Sequence, residues 1–169
     1  MPPSSQCFEV SIEAGVAHIV MCRGAEFNTF TPQAWLDLPA IVRDIDRNAK
    51  ARAIVISSTG KHFTAGMDLA VFQRPDGLLG AKTDPHLRAE KFRADLAQLQ
   101  GSFNCLEQAR MPVLVAVQGG CIGAGVDMIS ACDIRYATKD RFFCIQEINI
   151  GMTADVGTFP RLTKLMPDG

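Results

Sequence analysis

Residues 147–157 place two carboxylates, those of Glu147 and Asp155, eight positions apart among apolar residues and glycine. Only Asn149 and Thr153 are otherwise polar in this stretch. A charged group in apolar surroundings is costly unless it is paired or used. A carboxylate whose pKa is raised by such surroundings is suited to moving a proton on and off carbon. The stretch therefore suggests proton transfer, with helix capping by Asp155 as the structural alternative.

A third acid, Asp127, follows the glycine-rich sequence QGGCIGAG. Three carboxylates near one apolar site raise the pKa of at least one of them through desolvation and like-charge repulsion. Each acid could instead cap a helix or pair with a base, for which Arg161 and Arg135 are available. For Asp133, in the sequence ACDIRY, we predict such a structural role.

The glycine-rich sequence follows an apolar run, VLVAV, and precedes a helical pattern, an order that dinucleotide-binding proteins share. Their fingerprint needs a third glycine at position 128, after Gly123 and Gly125, where Met128 stands. No G-K-[ST] follows, as a P-loop requires, and G-x-S-x-G does not occur in the chain. The pattern thus argues against both a nucleotide site and a serine nucleophile.

Backbone N–H groups at a glycine-rich helix start suit a negatively charged oxygen, although a tight packing turn needs glycine for steric reasons alone. A second loop, KHFTAGMDL, also runs from a strand into a helix, with Ala65 and Gly66 at its turn. If each loop donates one N–H to the same oxygen, together they form the minimal oxyanion hole.

Strand and helix patterns alternate along the first half of the chain. Residues 7–22 alternate as a β-hairpin does, and Thr31 with Pro32 marks the start of a helix. Residues 51–58 form an apolar strand pattern, and the loop that holds Ala65 follows it. Residues 74–85 carry turn signals and are predicted to form a mobile surface segment.

The second half continues in the same way. We predict a long amphipathic helix over residues 86–110, stopped by Pro112, and strands at 113–117, 134–138 and 141–148. Glu147 is expected to end the last strand. Strands and helices that alternate in this way predict an α/β fold, with residues 1–169 as one domain.

The amino-acid composition argues against several classes of function. Seventeen basic and eighteen acidic residues give a net charge of -1, which offers no attraction to nucleic acid. Six cysteines without C-x-x-C spacing suggest reduced thiols in an intracellular protein, and three scattered histidines predict no metal site. The start of the chain lacks a leader pattern, and no apolar run reaches the roughly 20 residues of a membrane span.

Three segments together resemble the enoyl-CoA hydratase/isomerase (crotonase) superfamily: HFTAGMDL, VAVQGGCIGAGVDMISACDIRYA and FFCIQEINIGMTADVGTFPRL. The resemblance covers most of the chain and implies the ClpP/crotonase fold, a spiral of ββα units. Aspartate at 127, glutamate at 147 and aspartate at 155 match the Δ3,5-Δ2,4-dienoyl-CoA isomerase pattern. Enoyl-CoA hydratases carry glutamate at the first two positions and usually glycine at the third.

The resemblance implies a role for each residue in isomerising 3,5-dienoyl-CoA to 2,4-dienoyl-CoA during fatty-acid β-oxidation. Glu147 would remove a proton from C2, Asp155 would return one at C6, and Asp127 would set the protonation state of Asp155. The N–H groups of Ala65 and Ala124 would form the oxyanion hole. The residues implied in substrate binding are Ala65, Gly66, Met67, Asp68, Leu69 and Ala124. No metal or redox cofactor is expected.

Two departures from the family pattern accompany this resemblance. Position 124 is alanine where the family usually has glycine. The family's C-terminal helices, which complete the acyl pocket and build the trimer, are expected to be absent from these 169 residues. The resemblance implies an acyl-CoA substrate, a homotrimer or homohexamer, no membrane insertion and a peroxisomal or mitochondrial location. The alternatives are an enoyl-CoA hydratase, a Δ3,Δ2-enoyl-CoA isomerase or a non-catalytic acyl-CoA binder.

Overall fold

A computed structural model describes residues 5–71 and 84–166 of the chain. Strands and helices alternate through them, as predicted. The strands are β1 (Phe8–Glu13), β2 (Val16–Met21), β3 (Ala53–Ser58), β4 (Val113–Val117), β5 (Gly120–Ile122), β6 (Ile134–Ala137) and β7 (Phe142–Cys144). The α-helices are α1 (Pro32–Arg47), α2 (Pro85–Glu107), α3 (Ala124–Ser130) and α4 (Thr158–Leu165).

The first two strands form the predicted antiparallel hairpin, in which Phe8 pairs with Met21. Its turn uses Ala14 and Gly15, both with positive φ, as a tight hairpin turn requires. The start of α1 also agrees with the prediction, because Oγ1 of Thr31 accepts a hydrogen bond from the Ala34 N–H at 3.2 Å.

The main sheet has the strand order β1-β2-β3-β4-β6, and β2, β3, β4 and β6 run parallel. Alternate residues of its strands are buried, which gives one apolar face to the sheet. Three aromatic residues from the region of α1 and α2, Phe30, Trp35 and Phe103, pack with ring centroids 5.0 to 5.5 Å apart in the core. Burying such a side chain contributes about 1.5–3 kcal/mol.

A second, two-stranded parallel sheet pairs β5 with β7. It starts directly after β4, within the glycine-rich sequence that we predicted to be a single turn. Since β3 and β4 are neighbours and parallel, the loops that leave their carboxyl ends meet at one edge of the main sheet. Thr64, in the first loop, forms a bridge to Cys121 of β5, so the two loops are held together.

Helix α2 differs from its prediction at both ends. It ends at Glu107, before Pro112, where the N–H of Gln108 bonds to the carbonyls of Asn104 and Leu106. Its buried residues lie in the last turns, and Leu87, which the periodicity had placed on an apolar face, is 64% exposed. In the earlier turns the apolar residues Phe92 and Leu96 are only half-buried.

Glu147 does not end a strand, contrary to the prediction. Strand β7 stops at Cys144, whose carbonyl accepts the Gly123 N–H at 2.8 Å. The chain then coils into a 3-10 helix, Gln146–Ile150, that carries Glu147 and closes at Gly151 with φ 72°. A 3-10 helix, Leu69–Val71, follows the loop of Ala65.

Three further sequence predictions concern a mobile segment, the cysteines and membrane-spanning helices. Most of the segment predicted to be mobile, residues 74–85, lies outside the described residues. All six cysteines are free. Within the described ranges, no helix has the length and apolarity that crossing a bilayer requires.

Candidate active site

A cavity of about 500 Å³ opens where the loops after β3 and β4 meet. Its volume falls within the range of small-molecule sites, roughly 300–1,000 Å³. The lining includes seven residues that were predicted to belong to the site: Ala65, Met67, Asp68, Leu69, Ala124, Glu147 and Asp155. Thr29, Gly123, Gln146, Ile150, Met152 and Val156 complete it. The walls are mainly apolar, so the carboxylates face little competing polarity.

The backbone of the first loop decides which N–H groups face this cavity. The Ala65 N–H donates to the Phe27 carbonyl at 2.9 Å, so it is not available to a ligand. The Gly66 carbonyl accepts from the Phe30 N–H at 2.8 Å. In a trans peptide the C=O and the next N–H point in opposite directions, and the described residues contain no cis peptide. The Met67 N–H therefore points away from Phe30.

The second loop presents another N–H. The Gly123 carbonyl accepts from the Val126 N–H at 2.7 Å, so the Ala124 N–H points out of the start of α3. Neither this N–H nor that of Met67 has an acceptor within the described part of the chain. Ala124 has no positive φ, so its methyl group causes no backbone strain.

The two loops touch at Gly66. A Cβ added there would lie 2.8 Å from the Ile122 carbonyl oxygen and 3.3 Å from the Ala124 nitrogen. The backbone of Gly66 therefore approaches the start of α3 more closely than a side chain allows. This contact brings the free N–H of Met67 near that of Ala124, and together they can bind one oxygen atom. Sequence reasoning chose Ala65 for this role, and the hydrogen bond to Phe27 argues against that choice.

The Glu147 carboxylate lies over the second loop. Its Oε1 is 3.2 Å from the point that a Cβ on Gly123 would occupy, and its Oε2 is buried without a hydrogen-bond partner. Burial raises the pKa of Glu147, and the negative charges of Asp127 and Asp155 raise it further. A carboxylate with a raised pKa and a free oxygen is a competent general base near neutral pH.

Asp127 lies deeper, with only 1% of its surface exposed. Its Oδ1 accepts two hydrogen bonds from Thr158, one from the N–H and one from the hydroxyl, each of 2.6 Å. Its Oδ2 is buried without a partner. Burial raises the pKa of Asp127, the Thr158 bonds oppose that rise, and the charge of Asp155 adds to it. The sequence analysis did not identify Thr158, although its place after Gly157 marks a helix start.

Asp155 is half-buried at the cavity wall, and burial raises the pKa of its carboxyl group. The alternative that it caps a helix is wrong, because α4 begins at Thr158 and Gly157 occupies the N-cap position. The carboxylate that caps α4 is that of Asp127. The Asp155 backbone is fixed separately, since its carbonyl accepts a hydrogen bond from Nε2 of Gln100 at 2.7 Å.

Two charged residues named in the sequence analysis, Asp133 and Arg161, make contacts that stabilise the fold. Asp133 accepts the Val113 N–H at 2.8 Å and so holds the start of β4, in the structural role predicted for it. Arg161 is 7% exposed and donates to Glu107 at 3.1 Å and to Asn104 at 2.6 Å. Its guanidinium therefore joins α4 to α2, and among the described residues no ion pair involves Glu147 or Asp155.

The site thus combines three acids that line a mainly apolar cavity, Asp68, Glu147 and Asp155, with a fourth acid, Asp127, buried beneath them and two backbone donors where the two loops meet. A pair of donors stabilises an enolate oxygen, and raised-pKa carboxylates exchange protons with the adjacent carbons. The described residues contain no cluster of histidine, cysteine and acidic side chains arranged to hold a metal ion. The geometry favours carbon acid chemistry beside a carbonyl group.

Comparison with known proteins agrees with this chemistry. The family model described as "Enoyl-CoA hydratase/isomerase" matches residues 11–168. A mitochondrial Δ(3,5)-Δ(2,4)-dienoyl-CoA isomerase from Homo sapiens is 40% identical over 157 residues, covering 92% of this chain and 47% of that relative. A peroxisomal Δ(3,5)-Δ(2,4)-dienoyl-CoA isomerase from Arabidopsis thaliana is 33% identical over 154 residues, covering 91% of this chain and 55% of that relative. The chain thus spans about half the length of these curated relatives.

Solved structures show the same fold. A Thermobifida fusca YX protein in complex with acetoacetyl-CoA superposes with a TM-score of 0.82 at 27% identity, covering 98% of this chain and 66% of that one. An enoyl-CoA hydratase from Shewanella pealeana ATCC 700345 gives 0.83 at 25% identity, covering 96% of this chain and 58% of that one. The crotonase-type α/β fold predicted from the sequence is confirmed. With its fold, its paired loops and its extended sequence match, the chain belongs to the enoyl-CoA hydratase/isomerase family.

Proposed function

We propose that the protein isomerises 3,5-dienoyl-CoA thioesters to 2,4-dienoyl-CoA thioesters. The observation that carries this proposal is that Glu147 and Asp155 line the same apolar cavity, next to the free N–H groups of Met67 and Ala124. A base and an acid separated along one channel can act on two different carbons of one acyl chain. The curated relatives with this name support the same assignment.

The thioester oxygen binds between the N–H groups of Met67 and Ala124. This assignment moves the first donor from Ala65 to Met67, because the Ala65 N–H already bonds to Phe27. Binding of a coenzyme A thioester is supported by the T. fusca relative, which was solved with acetoacetyl-CoA. The two donors stabilise the negative charge that develops on this oxygen when the neighbouring carbon loses a proton.

Glu147 begins the reaction by taking a proton from C2. The electron pair of that C–H bond becomes part of an extended enolate that runs from the thioester oxygen to C6. Asp155 then donates its proton to C6, and the double bonds shift from C3=C4 and C5=C6 to C2=C3 and C4=C5. The product has the composition of the substrate, so the step needs no oxidant, reductant or metal.

At the end of one turnover, Glu147 holds an extra proton and Asp155 has lost one. The site returns to its starting state when Glu147 releases a proton to water and Asp155 regains one. Burial raises the pKa of both groups, which places both exchanges closer to neutral pH than an ordinary carboxylic acid would allow.

The carboxylate at position 155 favours an isomerase over a hydratase. A hydratase adds water across C2=C3 and needs no acid near C6. The named relatives are mitochondrial or peroxisomal enzymes, which supports fatty-acid β-oxidation in one of these compartments as the setting. Assembly into a trimer or a dimer of trimers stays a prediction of the family resemblance.

The test compares the wild-type chain with Glu147→Gln and Asp155→Asn. With 3,5-octadienoyl-CoA as substrate, the diene comes into conjugation with the thioester, and absorbance follows product formation. Each variant should lower kcat by about 10²–10⁴-fold with a small change in KM, because it removes one proton-transfer group. Glu13→Gln, an exposed acid on β1, is the matched control and should turn over normally.

Three other results would redirect the proposal. Isomerisation that survives Asp155→Asn would remove Asp155 as the acid at C6. Rapid hydration of crotonyl-CoA without dienoyl-CoA isomerisation would indicate a hydratase. Tight binding of acyl-CoA with no turnover of either substrate would indicate a non-catalytic binder.

A further inference from the structure

We propose that Thr158 is a positioning residue that keeps Asp127 ionised and thereby keeps the transferable proton on Asp155. The inference deepens the proposed function and rests on it for the role of Asp155. Thr158 does not line the substrate cavity, and its two described hydrogen bonds both reach Asp127, so we expect it to act through Asp127.

Both polar groups of Thr158 are directed at one oxygen atom. The N–H and the Oγ1 hydroxyl each donate to Oδ1 of Asp127 at 2.6 Å. Both residues are 1% exposed, so water does not compete for these bonds. Bonds donated to a carboxylate are shorter and stronger than those between neutral groups, and donation to the charged form favours that form.

The surroundings of Asp127 contain both supporting and opposing charges. The start of α4 and the Arg161 guanidinium supply positive potential, although Arg161 is also paired with Glu107. Asp155, in the preceding loop, and Glu147, in the 3-10 helix, oppose ionisation. The Cys121 thiol of β5 faces the same carboxyl group, and its pKa of about 12 keeps it neutral.

The unpaired oxygen of Asp127 shows why this balance matters. Its Oδ2 is buried without a hydrogen-bond partner among the described residues, and the charge of Asp155 raises the pKa of Asp127. Two neighbouring carboxyl groups in a dry site share one proton more easily than they ionise together. Asp155 lines the cavity, so a proton on its carboxyl group can reach the substrate. Asp127 does not line the cavity, so a proton on its carboxyl group cannot. Holding Asp127 as the anion therefore keeps the shared proton on Asp155, where it can be transferred to the substrate.

Removing the hydroxyl of Thr158 should move part of this proton from Asp155 to Asp127. For Thr158→Val we expect kcat to fall about 10- to 100-fold with KM unchanged, from the loss of one hydrogen bond to a charged group. The alkaline limb of the kcat profile should move to higher pH, because the pair then binds its proton more tightly. Thr158→Ser keeps the hydroxyl and should restore both properties.

Two controls separate positioning from a general loss of structure. Thr163→Val removes an exposed hydroxyl from the same helix, where it bonds only to the Phe159 carbonyl, and should leave the profile unchanged. In an Asp127→Asn background, Thr158→Val should have no further effect on the pH profile. An effect of equal size in both backgrounds would show that Thr158 does not act through Asp127.

The deciding experiment does not depend on turnover. ¹³C-detected NMR titration of aspartate carboxyl groups in the substrate-free protein should show Asp127 losing its proton at lower pH than Asp155. Thr158→Val should raise the Asp127 midpoint, and Thr158→Ser should not. An Asp127 that stays protonated while Asp155 ionises, or an unchanged Asp127 midpoint in Thr158→Val, would overturn the inference. Failure of the proposed function appears separately, as a wild-type chain that does not isomerise 3,5-dienoyl-CoA.

Discussion

Oε1 of Glu147 lies 3.2 Å from the position that a Cβ on Gly123 would occupy, so the carboxylate rests directly against the glycine loop. The next residue, Ala124, supplies a free N–H at the start of α3. The proposed base is carried by the 3-10 helix Gln146–Ile150 and rests against the loop that carries one proposed oxyanion donor. A change in the backbone of that loop is therefore expected to affect both proposed groups.

Gly66→Ala tests the oxyanion hole through its backbone. The φ of Gly66 is +87°, and an added Cβ would lie 2.8 Å from the Ile122 carbonyl oxygen, so the two loops must separate. We expect kcat to fall about 10²–10³-fold, as for the loss of one oxyanion donor. Steady-state kinetics with 3,5-octadienoyl-CoA, together with a thermal melt to confirm folding, measures this effect.

The matched control is Gly101→Ala. Gly101 lies in α2, and an added Cβ would meet no atom within 4 Å. The replacement should leave kcat unchanged and stabilise the protein by about 0.5–1 kcal/mol through better helix propensity. Equal losses of activity in both variants would show that the effect of Gly66→Ala is not specific to the site.

The reaction in D₂O tests whether two separate carboxyl groups carry out the two proton transfers. If Glu147 removes the C2 proton and Asp155 supplies the one at C6, as proposed, the product formed in D₂O should carry deuterium at C6. Mass spectrometry and NMR of the 2,4-dienoyl product measure the incorporation. A product with unlabelled C6 after a single turnover would indicate that one group carries the same proton between the two carbons.

Asp127→Asn should stabilise the protein in a pH-dependent way. The folded-state pKa of Asp127 is raised above its ordinary value of 3.8, so its favourable contribution is complete below that value and is lost as pH rises through the folded pKa. Relative to wild type, the variant should have equal stability well below pH 3.8, and it should become more stable than wild type as pH rises through the range in which folded Asp127 ionises. Urea unfolding at several pH values measures the difference, and a gain that is constant with pH would contradict it.

Asn28→Ala should destabilise the protein by about 2–4 kcal/mol. Asn28 is 3% exposed, has φ 51°, and donates from Nδ2 to the carbonyls of Thr59 at 2.8 Å and His62 at 3.2 Å. Alanine leaves both carbonyls without this donor and adopts such a φ at a cost. Urea unfolding measures the loss. Asn48→Ala, at an exposed asparagine, should change stability by less than about 0.5 kcal/mol.

The fold was predictable where local pattern determines it. The alternation of β1 and β2, the Thr31 cap and the apolar residues of α1 depend on neighbours in sequence, and the structure agrees with them. The length of α2 and the place of Glu147 were predicted wrongly. Helix α2 ends at the cap residue Gln108, short of Pro112, and β7 ends at Cys144, whose carbonyl accepts the Gly123 N–H from a distant part of the chain.

The acidic residues of the site were predictable from the sequence, whereas the backbone N–H donors were less predictable. Asp127, Glu147 and Asp155 stand out because charged residues interrupt apolar sequence. The choice between Ala65 and Met67 depends on two backbone hydrogen bonds, from the Ala65 N–H to the Phe27 carbonyl and from the Phe30 N–H to the Gly66 carbonyl, and both join distant parts of the chain. Thr158 is likewise 31 residues from Asp127, with no local pattern that links the two.

Both proposed oxygen-binding groups are backbone N–H groups, those of Met67 and Ala124. This has an evolutionary consequence. A substitution that keeps the backbone in place leaves the peptide N–H at these positions intact unless it introduces proline, so variation acts on the proposed chemistry most directly through the side chains at positions 127, 147 and 155. A lineage can exchange those three side chains while it retains the means to stabilise any thioester enolate. The same separation recommends these positions, rather than the loops, to anyone who redesigns the enzyme for another acyl-CoA reaction.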